Sequence, residues 1–296
     1  FDRWHSDVRF FEIYDQDNIL RGKFYLDLYA RPNKRGGAWM DDCVSRKNGP
    51  DGLQTPVAYL TCNFTPPTND DPALLSHNEV ITLFHEFGHG LHHMLTKVDH
   101  LSVSGINGVQ WDAVELPSQF MENWCWQKPA LEIISGHYQT GAPLPESLLE
   151  KMLAAKNFQS GMFMIRQLEF SLFDFQIHLN FDPTKSSKIY STLSTIRDQF
   201  SVVTAPAFNR FAHSFSHIFA GGYAAGYYSY KWAELLSCDA FSRFEDEGIF
   251  NPQTGADFLT HILEKGGSID AMDLFVNFRG REPSIDALLQ HNGIIS

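Results

Sequence analysis

Two histidines and a glutamate within one short stretch have the residue types and the spacing that bind a metal ion. His85, Glu86 and His89 form the pattern HExxH. On an α-helix, residues four positions apart project from the same face, so the two imidazoles can share one ion. Glu86 is rotated about 100° from His85, where it can hold a water beside that ion without binding the metal. The sequence therefore predicts a metal site with a general base next to it.

The residues before the motif predict that it lies on a helix. Ser76 and Glu79 have the S-x-x-E spacing of a capping box, in which each residue satisfies a backbone N–H at a helix start. Apolar residues follow on nearly every side of this helix, so we expect it to be buried. Gly88 lowers the helix propensity, and either a neighbouring element or the geometry of the metal site would explain its small size.

A second predicted helix supplies a candidate third ligand. It begins near Glu115, which lies 26 residues after His89 and shortly before Pro117. A loop of that length allows the second helix to fold back beside the first. Two histidines and one glutamate form the protein ligand set of a catalytic zinc, so we expect one zinc ion on His85, His89 and Glu115. A chance match in a polar helix interface is the alternative.

Other polar residues near the motif have weaker support. Glu122 could orient an imidazole through its second nitrogen, but the interpretation we favour is a solvent-exposed carboxylate on a helix. Glu79 is predicted to act as a cap. We expect His92 and His93 to pack around the site and not to bind the metal.

The remaining chain predicts a sheet, then helices. Residues 10–14, 19–29 and 55–64 have the composition of strands and predict a small sheet. Its edge either offers hydrogen bonds to an extended peptide or simply covers one side of the core. Beyond residue 127 the chain is mostly helical, except that Gly221 and Gly222 predict a mobile or tight loop between His213 and Tyr230, with tyrosine hydroxyl donors beside it.

Composition excludes several classes of function. Lys and Arg number 23 against 35 Asp and Glu, and the net charge of -12 without a basic run argues against nucleic-acid binding. The four cysteines form no CxxC pair, and no apolar run approaches the roughly 18 residues of a membrane span. We therefore expect a cytoplasmic protein with no membrane contact. Because the sequence starts at Phe1, we also expect it to be part of a longer polypeptide.

Three segments together resemble the thimet oligopeptidase family of zinc metallopeptidases: residues 85–89, 114–124 and 217–230. The resemblance covers residues 1–296 and implies a mainly α, zincin-like catalytic region with a small N-terminal sheet beside the active-site helix. Under it, the sheet occupies about 8–64, the active-site helices about 76–127, and a helical scaffold with the Gly/Tyr loop the rest. It further implies that an upstream helical region, absent here, forms the other wall of a channel.

The same resemblance implies a role for each matching residue. His85, His89 and Glu115 correspond to ligands of one zinc ion, and Glu86 corresponds to the general base. Across the cleft, the residues implied to bind the substrate or its oxyanion are His217, Tyr223 and Tyr230, with Tyr227, Gly221 and Gly222 as further substrate contacts.

The resulting functional expectation is a zinc-dependent oligopeptidase. It would act as a monomer on short peptides and hydrolyse internal bonds with a zinc-bound water that Glu86 activates. One alternative is a dipeptidyl carboxypeptidase of the same family, which releases dipeptides from a free C-terminus. The other is a non-catalytic peptide-binding module, although such a module would have no need for Glu86.

Overall fold

A computed structural model describes residues 1–68, 70–184 and 188–295 and confirms the mainly α fold with a small N-terminal sheet. The strands precede the helices, as the sequence predicts. Their bounds are β1 Arg9–Tyr14, β2 Leu20–Tyr29, β3 Trp39–Val44, β4 Lys47–Gly49, β5 Gly52–Gln54 and β6 Val57–Phe64.

The main sheet is mixed and has the strand order β1-β2-β6-β3. β1 pairs with β2 and β3 pairs with β6 in antiparallel fashion, whereas β2 and β6 run parallel. β4 and β5 form a separate hairpin. The sequence prediction missed β3 because two adjacent acids, Asp41 and Asp42, interrupt its apolar pattern. Such a strand is stable at a sheet edge, where one side faces solvent.

Helices make up most of the chain after the sheet. Their bounds are α1 His77–Met94, α2 Leu116–Glu122, α3 Lys128–Ile134, α4 Glu146–Lys156, α5 Ser160–Leu179, α6 Ile189–Phe200, α7 Phe211–Ser214, α8 Ser216–Phe219, α9 Ser229–Glu247, α10 Pro252–His261, α11 Ala271–Arg279 and α12 Ile285–His291.

The sheet positions α1 by close packing. A Cβ added at Gly22 of β2 would lie 2.6 Å from the Cβ of Met94, so the strand and the helix end touch with no room for a side chain. Leu60 of β6 packs in the same apolar cluster as Met94. His93 Nε2 lies 2.9 Å from the carbonyl oxygen of Val44 and ties α1 to β3. The edge strand is therefore held beside the helix that carries the HExxH motif.

Two further apolar clusters support the helical part. One joins α2 to α9, α10 and α11 around Phe120, Phe241 and Phe258. The other joins α5, α6, α7 and α8 around Phe173 and Phe215. The first cluster holds α2 against α1, and the second lies under the Gly/Tyr loop.

Asp27 of β2 is a buried acid surrounded by donors. Its carboxylate accepts hydrogen bonds from Arg31 at 2.6 Å, Lys34 at 2.8 Å and Trp4 at 3.0 Å. Burial opposes its ionisation, but these donors outweigh burial and hold the pKa of Asp27 well below its usual range. Lys34 also donates to the carbonyl of Cys62 at 2.6 Å, so the cluster joins the end of β2 to β6.

We expect Asp27→Asn to lower the free energy of unfolding at neutral pH, because three donors lose a charged acceptor. A carboxyl group whose pKa is depressed by folding stabilises the fold above its unfolded pKa of about 3.9, and that stabilisation disappears as the pH falls towards the folded-state pKa. Urea unfolding should therefore show a difference in the free energy of unfolding between variant and wild type that is constant above about pH 5 and becomes smaller below about pH 4. The exposed Asp51→Asn is the control. An equal difference at every pH would contradict this account.

Candidate metal centre and active-site cleft

The helix α1 brings the two histidines of the motif together. Its start has the predicted capping box, with Ser76 and Glu79 each bonding the other's backbone N–H. Nine residues further on, His85 and His89 project from one face with ring centroids 5.0 Å apart. The capping box thus sets the helix on which the spacing of the two imidazoles depends.

Glu115 completes a cluster of three donors. It lies at the start of α2, and its Oε2 is 3.2 Å from His85 Nε2 and 3.1 Å from His89 Nε2. Ligand atoms of the three side chains all lie within 4.8 Å of one another, which makes them a possible metal site. Two imidazole nitrogens and a carboxylate oxygen are donors that suit zinc. The structure therefore brings together the three residues that the sequence nominated as metal ligands.

A glycine allows α1 and α2 to approach this closely. A Cβ at Gly88 would lie 2.4 Å from the carbonyl oxygen of Pro117 and 2.6 Å from the Cα of Ser118. Real Cβ atoms do not tolerate such distances to backbone. The sequence offered two explanations for the small size of Gly88. The structure shows the first of them, the packing of a neighbouring element, and that element is α2, which has Glu115 at its start.

Polar neighbours orient the candidate ligands. Glu122 Oε1 lies 2.6 Å from His85 Nδ1, so its interpretation as a merely solvent-exposed helix carboxylate is wrong. It sits seven residues after Glu115, two turns along the same face, and this spacing could have revealed its role. Ser118 donates to Glu115 Oε2 at 2.9 Å. A carboxylate on the second nitrogen of an imidazole fixes its tautomer and ring orientation.

The charges of the cluster reinforce one another. Burial disfavours the charged form of His85, but hydrogen bonds to Glu115 and Glu122 raise its pKa well above the usual range. Burial also opposes ionisation of Glu115, yet the nearby His89 and His85 hold its pKa well below the usual range. The site therefore keeps an anionic carboxylate between two imidazoles.

Glu86 lies beside the cluster in a different environment. It is buried on the cleft wall, and burial raises the pKa of its carboxyl group. The nearby imidazoles of His85 and His89 oppose that shift. Met40 of the edge strand that the sequence prediction missed lines the same cleft as Glu86.

An open cleft of about 890 Å³ runs past the metal cluster. One wall is the edge of the sheet at residues 38–42, and the other comes from the segment that begins at Ser216. His217, Gly221, Tyr223 and Tyr230 all line it.

The tyrosine loop, which we define as residues 220–230 and which runs into the first turn of α9, faces the candidate ligands. Tyr223 donates to Glu115 Oε1 at 2.5 Å, and its ring stacks on that of Tyr230 with centroids 4.8 Å apart. His217 lies 6.1 Å from both rings. Burial, followed by the charge of Glu115, raises the pKa of both tyrosines, so their hydroxyls remain donors at neutral pH.

Two loop residues do not reach the cleft. Tyr227 is buried, and its hydroxyl donates to Gln167 at 3.1 Å, away from the metal cluster. Gly222 has a φ of +86° and faces Trp111. The ring of Tyr227 still packs against those of His217 and Tyr230, with centroids 5.7 Å and 5.2 Å apart, but neither Tyr227 nor Gly222 lines the cleft. The sequence gave no indication of which loop residues line the cleft, because the loop backbone has no regular period that would place alternate side chains on one face.

Trp111 is a residue that the sequence did not reveal. It precedes Glu115 by four positions, and its ring packs on Tyr223 at a centroid distance of 4.7 Å. Its neighbour Asp112 accepts a hydrogen bond from Tyr228 at 3.2 Å. An aromatic residue in a polar, Gly-rich loop close to a candidate ligand is the signal that could have identified this contact.

No helix among the residues that the structure describes is long and apolar enough to cross a membrane.

Comparison with known proteins identifies the family. The sequence profile of Peptidase family M3 matches residues 2–294. The chain belongs to peptidase family M3. Oligopeptidase A of Escherichia coli K12 is 67% identical over 294 residues, which are 99% of this chain and 43% of that protein. The dipeptidyl carboxypeptidase of the same organism is 36% identical, over 98% of this chain and 42% of that protein.

This M3 chain therefore spans less than half the length of the curated relatives that it matches. Among solved structures, the M32 carboxypeptidase of Deinococcus radiodurans R1 has a TM-score of 0.61 at 14% identity, over 93% of this chain and 55% of that one. At that identity the likeness shows the fold alone. It agrees with the zincin-like arrangement that the sequence predicted.

Gly88→Ala should separate α1 from α2 in this M3 chain, because the new methyl group would occupy the backbone of α2. We expect a loss of about 2 kcal/mol or more in stability and weaker metal binding, measured by thermal unfolding and by competition with a chelator. Gly255→Ala in α10 is the matched control, since nothing lies within 4 Å of its Cβ position. It should be neutral or stabilise. Equal changes in stability and metal binding in Gly88→Ala and Gly255→Ala would contradict the argument that Gly88 permits the close packing of α1 and α2.

Glu122→Gln should weaken metal binding by roughly 10- to 100-fold, because an amide fixes the His85 imidazole less firmly than a carboxylate. A chelator-competition titration measures this directly. Glu132→Gln, on the exposed face of α3, serves as the control for lost charge. Unchanged affinity in Glu122→Gln would remove this residue from the support of the site.

Proposed function

We propose that the protein is a zinc-dependent oligopeptidase that hydrolyses internal bonds of short peptides. The observation that carries the proposal is the cluster of His85, His89 and Glu115 on the wall of an open cleft, with Glu86 beside it. Membership of a peptidase family supports the reaction class. The high identity to proteins named oligopeptidase A supports short peptides as substrates.

The three candidate ligands fit a single zinc ion by their chemistry. They offer two nitrogens and one oxygen from buried or half-buried side chains, and Glu122 and Ser118 orient two of them. When bound there, zinc would lower the pKa of a water towards about 7 and polarise a peptide carbonyl. Cysteine-rich ligand sets mark closed structural zinc sites, and this set contains no cysteine.

Glu86 has the position and the environment of a general base. It takes a proton from the water that attacks the scissile carbonyl and passes that proton to the leaving amine. Burial raises the pKa of Glu86 and so makes it a stronger base than an exposed glutamate. A pure binding module would gain nothing from a buried acid at this place, which argues against the non-catalytic alternative.

The tyrosine loop supplies donors to the opposite side of the reacting group. The tetrahedral oxyanion needs hydrogen bonds that are stronger in the transition state than in the bound peptide. Tyr230 and Tyr223 have protonated hydroxyls on the cleft wall, and His217 lies at its exposed rim. We assign Tyr230 the main oxyanion contact, with Tyr223 or His217 as the second.

The edge strand β3 is the best candidate for binding the peptide backbone. Its outer edge has no neighbouring strand in the sheet, and residues 38–42 line the cleft. An extended peptide could add to this edge through main-chain hydrogen bonds, which do not depend on side chains. Such binding is compatible with a monomer that accepts varied short peptides in the cytoplasm, and we propose that setting.

Dipeptidyl carboxypeptidase activity is the second candidate, because a protein of that name is 36% identical. That enzyme class requires a free C-terminus, whereas an endopeptidase does not. Cleavage of an internally quenched peptide with an amidated C-terminus favours the endopeptidase. Cleavage of only the free acid form, with release of dipeptides, would favour the alternative.

Glu86→Gln tests the assignment of the base. The variant should retain zinc, since Glu86 is not among the clustered donors, and should lose turnover by about 100-fold or more. Metal content by atomic absorption and hydrolysis of a quenched peptide are measured on the same sample. Glu115→Ala is the companion variant and should lose the metal. Wild-type turnover in Glu86→Gln would contradict the mechanism.

Tyr230→Phe tests the oxyanion contact. Removing one donor of this kind costs about 3 kcal/mol in the transition state, so kcat should fall by roughly 100-fold with little change in KM. Tyr227→Phe is the matched control in the same loop, because its hydroxyl bonds Gln167 away from the cleft. An effect on KM alone in Tyr230→Phe would place that hydroxyl outside the catalytic set.

A further inference from the structure

The tyrosine loop has a backbone that needs external support. It contains two residues in the left-handed region, Gly222 at φ +86° and Ala225 at φ +54°. The second is unfavourable for a residue with a Cβ, and it persists only where the surroundings enforce it. Tyr223 lies two residues before Ala225, and Tyr230 lies five residues after it in the first turn of α9, so the support of this turn influences where both hydroxyls point.

Asp174 of α5 provides that support from beneath the loop. Its side chain is 1% exposed. One carboxylate oxygen accepts from the N–H of Ala225 and the other from the N–H of Tyr227, both at 2.9 Å. Two backbone amides on one buried carboxylate form charge-assisted bonds, which are about twice as strong as neutral ones.

His178 completes the surroundings of this carboxylate. It lies one turn further along α5, with Nδ1 2.9 Å from Asp174 Oδ1 and 2.8 Å from the Asp174 carbonyl oxygen. Its side chain is one-third exposed, so the ring closes the solvent side of the acid. The buried carboxylate therefore accepts from two loop N–H groups and has the His178 imidazole beside it.

Trp111 restrains the loop from the opposite side. A Cβ at Gly226 would lie 2.5 Å from Trp111 Cδ1, so the indole packs directly on the backbone between the two amides that Asp174 binds. The turn is thus held between an indole above and a carboxylate below. Of these two restraints, only the carboxylate has directional bonds that can enforce the left-handed backbone at Ala225.

We propose that Asp174 is a positioning residue for peptide hydrolysis. It fixes the turn at residues 225–227 and, through that turn, aims the hydroxyls of Tyr223 and Tyr230 at the reacting carbonyl. This inference rests on the proposed function of the two tyrosines. Asp174 itself does not reach the cleft.

Asp174→Asn is the direct test. An asparagine has the same shape, but its side-chain NH₂ would face one of the two backbone N–H groups, so one amide loses its acceptor. We expect kcat for a quenched peptide to fall by roughly 10- to 100-fold while KM and zinc content change little. Zinc content should change little because the ligands lie on α1 and at the start of α2, and the hydrogen bond from the loop to them comes from the Tyr223 hydroxyl.

Asp239→Asn is the matched control. Asp239 is equally buried and binds Arg279, Arg281 and the N–H of Ser284, and it lies nine residues along α9 from Tyr230. It should lower the melting temperature at least as much as Asp174→Asn does, yet leave kcat near wild type. A fall in kcat that follows the loss of stability in both variants would overturn the proposal.

A second readout does not depend on activity. Hydrogen exchange followed by mass spectrometry on the zinc-loaded protein should show faster exchange in peptides covering 220–230 of Asp174→Asn, with no change in peptides covering α1. Unchanged exchange in the peptides covering 220–230 would overturn the proposal that Asp174 fixes the loop. If Asp174→Asn exchanges faster but the wild-type protein itself cleaves no peptide, the proposed function is contradicted, whereas the support of the loop by Asp174 is retained.

His178→Ala keeps the proposal testable if Asp174→Asn does not fold. It removes the imidazole that lies 2.9 Å from Asp174 Oδ1 and leaves both loop amides bonded. We expect a smaller effect in the same direction, with kcat lowered by a few fold and faster exchange confined to residues 220–230. Wild-type exchange and kcat in this variant would overturn the role of Asp174.

Discussion

The contact between Gly88 of α1 and the backbone at Pro117 and Ser118 of α2 is the constraint on which the metal centre depends. Without it, Glu115 could not bring one oxygen within 3.2 Å of both imidazoles. A glycine in the middle of a helix costs about 1 kcal/mol relative to alanine, and here that cost permits the close approach of two helices. The sheet on one side and the aromatic cluster on the other press the helices together.

The two halves of the cleft depend on different supports. The half with the histidines is built on regular helices, whose geometry follows from capping and packing. The half with the tyrosines lies on an irregular loop, which needs Trp111 and Asp174 to hold it. Catalysis requires donors placed within a few tenths of an ångström of a developing charge, so rigid support matters as much as the donors themselves.

The sequence predicts regular elements and the residues that lie on them. HExxH, the capping box at Ser76 and the spacing to Glu115 sufficed to place the metal cluster, because helical periodicity converts spacing into geometry. The same reasoning missed β3, whose acids mask its pattern, and the contact of Glu122 with His85. It also could not separate Tyr227 from Tyr230, since long-range bonds to Gln167 and Asp174 determine the loop and leave no local signature.

Zinc-edge anomalous scattering from crystals of the zinc-loaded protein tests the metal centre most directly. We predict one anomalous peak bonded to Nε2 of His85, Nε2 of His89 and the carboxylate of Glu115, at about 2.0–2.2 Å. Glu86 should lie beside the ion without binding it. The absence of a peak at this cluster, or a peak that includes Glu86 as a ligand in place of Glu115, would contradict this arrangement.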